Sequence, residues 1–243
     1  MPLEAPLAPL ANRVAALNAR FEGHGAISVL SHSLRDPEIG RLALVSSFGA
    51  ESVVLLHMVS VIDRSLPVVF LDTEMLFAET LAYQRDLASR FGLSDIRRIR
   101  PSRAALFERD AENLLHQYDP DACCALRKVE PLERAMKGFD GWITGRKRFQ
   151  GGVRKSLAFF EVDGAKIKVN PLAYWDRDML KDYIANNNLP RHPLVNAGYP
   201  SLGCAPCTAP APDEGDGRSG RWQNFEKTEC GLHMKPMNWE ARA

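Results

Sequence analysis

No apolar run in the 243-residue chain reaches the length that crosses a bilayer. The amino terminus also lacks a secretory pattern: Met1-Pro-Leu-Glu-Ala-Pro-Leu places prolines and an acid where a leader needs basic residues and then an apolar stretch. The expectation is a cytoplasmic protein. Excess charge is missing too. Lys and Arg number 31 against 30 Asp and Glu, for a net charge of +1, which argues against nucleic acid or a membrane surface as the main partner. Any basic site has to be local. Cysteine is scarce, with five in all, and an odd number rules out complete pairing within one chain. In a reducing cytosol, clustered cysteines serve more often as metal ligands or reactive thiols than as bridges. Here they divide into an adjacent pair (Cys123, Cys124), a C-x-x-C pair (Cys204, Cys207) and a lone Cys230.

What is present reads as one α/β domain of ordinary size. Leu10, Val14, Leu17 and Phe21 recur at helical spacing. Short apolar runs predict strands at 42–46, 67–71, 96–100 and 142–144, with a hairpin over 157–169 turning at Asp163-Gly164. Helical patterns fall at 53–61, 76–91, 104–115, 122–136 and 177–187. Strands alternating with helices predict a mainly parallel twisted sheet flanked by helices. From Pro190 onward Pro, Gly and Asp accumulate and the periodicity fades. The expected organisation is an α/β domain over 1–207 and a loop-rich, mobile tail over 208–243.

Ser46-Ser-Phe-Gly-Ala-Glu-Ser52 lies between a predicted strand and a predicted helix. That position aims backbone N–H groups and a helix dipole at an anion, with Ser47 and Ser52 adding hydroxyl donors and Gly49 allowing close approach. An ordinary strand–helix turn is the alternative. No Lys-Ser/Thr follows the glycine, so this is not a Walker loop. It resembles the pyrophosphate loop of the PP-loop, or adenine-nucleotide α-hydrolase-like, superfamily. ATP-cleaving members show Ser-Gly-Gly-x-Asp-Ser; here Phe48 replaces the first glycine and Glu51 the aspartate, a departure that disfavours ATP cleavage.

C-x-x-C alone is ambiguous among zinc, redox and cluster roles. The adjacent pair discriminates more, because successive helical side chains diverge by about 100°. A zinc ion wants four sulfurs on one small tetrahedron, whereas a [4Fe–4S] body takes one sulfur per iron around a larger volume. A cluster is therefore favoured, with zinc and plain buried thiols as the alternatives. Lys128 follows one turn beyond Cys124.

Together, Cys123-Cys-Ala-Leu-Arg-Lys-Val-Glu-Pro-Leu132, Cys204-Ala-Pro-Cys207 and Glu229-Cys-Gly-Leu-His233 resemble the cluster-containing assimilatory adenylyl-sulfate reductases. Leu71-Asp-Thr-Glu-Met-Leu-Phe77 and Trp142-Ile-Thr-Gly-Arg146 fit the same family, in the same order. The resemblance implies one [4Fe–4S] cluster on Cys123, Cys124, Cys204 and Cys207. It implies that Cys230 attacks the sulfur of adenosine 5′-phosphosulfate, giving an S-sulfocysteine that thioredoxin or a similar dithiol releases as sulfite. Ser46, Ser47, Gly49, Leu71, Lys128, Gly145, Arg154, Arg218, Arg221 and His233 become the expected substrate contacts, and a homodimer or homotetramer the expected assembly.

Free cysteine has a pKa of about 8.5, so Cys230 needs positive neighbours, and a protonated His233 is one candidate. Arg146, Lys147, Arg148, Arg154 and Lys155 crowd one loop; among them Lys147 and Lys155 read as solvated surface. Arg218 and Arg221 flank Ser-Gly and suit a lid that closes over a bound anion. Rival readings are a reductase of the 3′-phosphorylated nucleotide, which Glu51 would repel, a PP-loop tRNA thiolase, and a non-enzymatic metal-binding module.

Overall fold

A computed structural model of the protein describes residues 9–211, 218–223, 225–227 and 229–233. Its centre is a six-stranded sheet in the order β3-β2-β1-β4-β6-β5. The strands are β1 (Leu42–Ser46), β2 (Val68–Leu71), β3 (Ile96–Ile99), β4 (Gly141–Ile143), β5 (Phe160–Asp163) and β6 (Lys166–Val169). All neighbours pair in parallel except β5, which runs antiparallel to β6. Every residue of β2 and β4 is buried, as expected where a parallel sheet is covered on both faces. The anticipated hairpin is β5–β6, and Gly164 takes the left-handed backbone (φ +60°) that its turn requires.

The helices are α1 (Leu10–Arg20), α2 (Ala26–Ser33), α3 (Ser52–Ile62), α4 (Ala78–Phe91), α5 (Arg103–Arg109), α6 (Leu115–Tyr118), α7 (Pro120–Cys124), α8 (Glu130–Ala135) and α9 (Arg177–Asn186). No helix among the described residues is long and apolar enough to cross a membrane. α3 buries Val53, Val54, Leu55, Leu56, Met58 and Val59, in a core with Phe48, Phe70 and Leu87. A second, smaller core joins Ala43, Val69, Leu132, Met136 and Trp142, and Leu232 from the end of the chain packs into it. α1 guards the edge strand: Asn18 donates to the Phe160 carbonyl (2.8 Å) and accepts from its N–H (3.0 Å), occupying groups an open edge would expose.

Three differences from the expected elements have physical causes. α2 was not anticipated, since its sequence alternates serine with apolar residues; burial of Val29 and Leu30 and a bond from Ser33 Oγ to the Val29 carbonyl (2.7 Å) hold it. The helix expected over 104–115 breaks at Asp110, whose carboxylate accepts from Leu115 N (2.8 Å), and at Asn113, which has φ +58°. The helix expected over 122–136 is three pieces, because α7 and α8 are joined by a π-helical turn, Ala125–Val129. Pro131 supplies the reason. It has no N–H for an α-helical bond and its ring crowds the carbonyl four residues back, so the backbone widens there.

From β1 the chain turns to β2 on one side, while β4 lies on the other. The order of strands reverses at this point, and the crevice beyond the carboxyl ends of β1 and β4 is where such sheets bind ligands.

Candidate functional site

In the loop after β1, position 48 keeps the backbone of a glycine but carries phenylalanine. Phe48 has φ +50°, a conformation that costs an L-residue about 1–2 kcal/mol. Its ring is fully buried, edge-on to Phe70 at 5.1 Å, and burial worth about 2–3 kcal/mol offsets the strain. Its N–H donates to Ser46 Oγ at 3.2 Å. Opposite, Leu202 stands over the loop: a Cβ on Gly49 would come within 3.6 Å of the Leu202 carbonyl.

This loop floors a cavity of about 250 Å³ at the carboxyl ends of β1 and β4. Ser46, Ser47, Gly49, Leu71, Lys128, Gly145, Arg154, Arg218, Arg221 and His233 all line it, together with Cys230 and Cys204. Residues scattered over the sequence are thus brought to one place. Lys147 lines it too and is buried, not solvated: its ammonium bonds Glu51 at 2.6 Å, and Gln150 reaches the same carboxylate oxygen at 3.0 Å. Glu51 is therefore a neutralised group, and its repulsion of a second phosphate is blunted. Lys155 is exposed, as expected. Arg148 lies over the Tyr174 ring at 4.0 Å and bonds the Leu157 carbonyl, a structural role.

The described part of the tail is seated on this cavity. Ala209 N donates to Gly220 O (2.9 Å) and Thr208 pairs with Arg221. Of the expected 208–243 tail, residues 212–217, 224, 228 and 234–243 lie outside the described residues. Arg221 packs so closely on Gly203 that a Cβ there would meet its guanidinium at 2.1 Å, and its guanidinium lies 4.4 Å from the Trp222 ring centre. Arg154 and Arg218 both bond Glu229. His233 stacks flat on Trp142, with ring centres 5.5 Å apart. Burial, and then Arg146, Arg154, Lys168 and Arg218, hold its pKa well below the usual value. Its surroundings thus disfavour the protonated form and oppose a role as positive neighbour of Cys230.

Cys123 and Cys124 end α7, whose start is capped by Asp119 accepting from Asp121 N (3.1 Å) and Ala122 N (2.9 Å). Cys204 and Cys207 bracket a tight turn held to the β2–α4 loop. Ala205 N donates to Met75 O (2.7 Å), and Thr73 Oγ1 lies 3.2 Å from Cys204 Sγ. Arg127, wholly buried on the π turn, donates to Thr73 O (2.9 Å), Asp110 (2.6 Å) and Asn113 (2.7 Å). Thr73 thus links the two cysteine-bearing segments.

The thiols act on one another. Burial first, then the charges of Cys124, Cys204 and Cys207, push Cys123 up to about 12. Cys204 moves down: burial opposes its ionisation, but Lys128, Thr73 and Arg221 outweigh it. Burial likewise opposes the charge on Lys128, and Cys204, Cys230 and Cys124 more than restore it. Trp222 donates its backbone N–H to Cys207 O (3.2 Å), while its buried indole N–H has no partner among the described residues. Four mutually interacting sulfurs beside a cation form a donor set that fits an anionic iron–sulfur group. Among the described residues no three His, Cys, Asp or Glu are arranged to hold a single metal ion.

Arg127 and Thr73 lay inside quoted family motifs without a role of their own there, and Asp110 lay in none. Glu229 was visible only as the residue before Cys230.

Comparison with known proteins places these features in a family. Residues 41–210 match the model of the phosphoadenosine phosphosulfate reductase domain. An adenosine 5′-phosphosulfate reductase of Mesorhizobium japonicum is 48% identical over 225 residues, covering 93% of this chain and 89% of the relative. One from a Chelativorans species is 47% identical over 222 residues, covering 90% and 89%. Among solved structures, the phosphoadenylyl-sulfate reductase of Candida auris in complex with phosphate superposes with a TM-score of 0.71 at 26% identity, covering 84% of this chain and all of that one. An FMN adenylyltransferase of Candida glabrata, 18% identical with a TM-score of 0.55 over 85% of this chain and 68% of its own, shares the fold. By sequence and by architecture, the chain belongs to the phosphoadenosine phosphosulfate reductase family.

Proposed function

We propose that the protein reduces adenosine 5′-phosphosulfate to sulfite and AMP, with Cys230 as the nucleophile. The observation that carries this reading is the convergence of Cys230, the Ser46–Gly49 loop and the cationic side chains Lys128, Arg154, Arg218 and Arg221 on one cavity. Relatives named for the same reaction across about nine-tenths of the chain support it. The loop amides and serines take the nucleotide phosphate at the head of α3. The Arg221 guanidinium suits the sulfate oxygens, with Arg154 and Arg218 adding positive charge from their places on Glu229. The Cys230 thiolate attacks sulfur, the bond from sulfur to the bridging oxygen breaks, and that oxygen leaves with AMP. A dithiol protein such as thioredoxin then attacks the Cys230 sulfur, expelling sulfite; its second thiol resolves the mixed disulfide and regenerates the Cys230 thiolate. Both electrons come from that dithiol.

Cys123, Cys124, Cys204 and Cys207 are proposed to hold a [4Fe–4S] cluster, which when bound contributes fixed charge and rigidity beside the cavity. Lys128, close to Cys204 and Cys124, carries positive charge from that side to the substrate. Residues 208–243 are proposed to act as the tail that brings Cys230 to it. The 3′-phosphorylated nucleotide is the second reading, favoured by the neutralised Glu51 and by the likeness to the Candida auris reductase.

The test is sulfite release from both nucleotides with thioredoxin, using wild type and Cys230→Ser. Turnover on adenosine 5′-phosphosulfate should fall by more than about 10³-fold in the variant. Without reductant, the wild-type peptide carrying Cys230 should gain one sulfite equivalent by mass spectrometry. An adduct on another cysteine, or sulfite from Cys230→Ser, overturns the assignment.

A further inference from the structure

Glu229 adjoins Cys230 and is 2% exposed. Its carboxylate is shared by two guanidiniums that come from different places. Arg154, from the turn Gly152–Ser156 on the α/β frame, engages both oxygens, with Nη2 to Oε2 at 2.8 Å. Arg218, from the tail, reaches Oε1 with Nη1 at 2.7 Å and Oε2 with Nη2 at 3.5 Å. Burial opposes the charge on Glu229, but the two arginines hold its pKa below the usual carboxylate range. A buried carboxylate left without these partners is strongly unfavourable. The three groups therefore hold one another, and Cys230 is one residue from the knot.

We propose that Glu229 is a positioning residue: by clamping Arg154 of the frame to Arg218 of the tail, it seats Cys230 in the cavity before substrate arrives. This rests on Cys230 being the nucleophile. Glutamine at 229 keeps the shape but removes the charge. The charged carboxylate that ties Arg154 to Arg218 is then lost, the tail loosens, and the thiol is delivered out of register. A misplacement of about 1 Å costs on the order of 10²-fold in a reaction of this kind.

Two rates on Cys230 in iron-loaded protein separate seating from reactivity. One is single-turnover sulfonation by adenosine 5′-phosphosulfate without reductant; the other is pulse alkylation by iodoacetamide, both read on the tail peptide by mass spectrometry. In Glu229→Gln, sulfonation should slow by about 10²-fold while alkylation quickens, with iron content unchanged. Glu229→Asp should recover part of both, and Arg218→Lys should shift both in the direction of Glu229→Gln. Unchanged rates, or both rates falling together, overturn the proposal. If the wild-type adduct lies on a different cysteine, it is the nucleophile assignment that fails.

Discussion

The two ends of the cavity are built by opposite means. At the nucleotide loop, position comes from apolar packing: Phe48, Val53 and Phe70 are fully buried, and the polar work falls to backbone amides and serines. At the cysteine end, position comes from charge. Arg127 and Asp110 pair with side chains each 1% exposed, Arg154 and Arg218 share Glu229, and Lys128 sits among thiols. Apolar packing stands without a ligand. A charged assembly stands only while every member keeps its partner, so the cysteine end depends on its occupant in a way the loop does not.

The largest expected effect breaks that dependence directly. Cys204→Ser should lose the iron, and hydrogen exchange should then accelerate through 120–135 and 200–208 while β1 and α3 stay protected; local opening at the cysteine end should cost little free energy. Equal deprotection of both ends would show that they are one cooperative unit. Next, Arg127→Met should destabilise urea unfolding by about 3–5 kcal/mol by stranding Asp110, and adding Asp110→Leu should restore most of it.

A smaller effect sharpens the frame's side of the comparison. His192 accepts from Leu194 N (3.2 Å) and meets Thr80 Oγ1 through Nε2 (3.0 Å). Burial lowers its pKa from 6.5 to about 4. The neutral ring's contribution is complete above pH 6.5 and lost as pH falls towards 4, because the unfolded chain takes up the proton first. That amounts to about 3 kcal/mol at most. The urea midpoint should fall between pH 7 and 5 in wild type and fall less in His192→Gln. Smallest is a reversal of rank at Phe48. Alanine and glycine there both lose about 3–5 kcal/mol of packing, yet glycine should be the more stable by about 1 kcal/mol, since only it relaxes at φ +50°.

The strands, the loop and the grouping of the cysteines were legible in the sequence because each is a local pattern. β1 and the β5–β6 turn fall where periodicity and Asp163-Gly164 place them. α2 was hidden because tertiary burial overrides its weak propensity. The π turn left a trace in Pro131, which periodicity alone reads as one continuous helix. Lys147 looked like surface because its partner, Glu51, is distant in sequence and belongs to a different loop. The Glu229 clamp was illegible for a like reason: Arg154, Arg218 and Glu229 have no sequence spacing in common, and only the fold gives them one.

The π turn has a consequence for chain length. Such a turn holds one residue more than α-helical bonding needs, so the stretch from α7 to α8 behaves as a helix with a one-residue insertion at Ala125–Val129. Deleting Ala125 would remove that extra residue and leave the buried Leu126 and Arg127, and α8 with Pro131 at its start, where they are. It would also rotate everything upstream by about 100°. Cys123 and Cys124 would swing away from Cys204 together, and the loss of one half-buried alanine would dismantle the site.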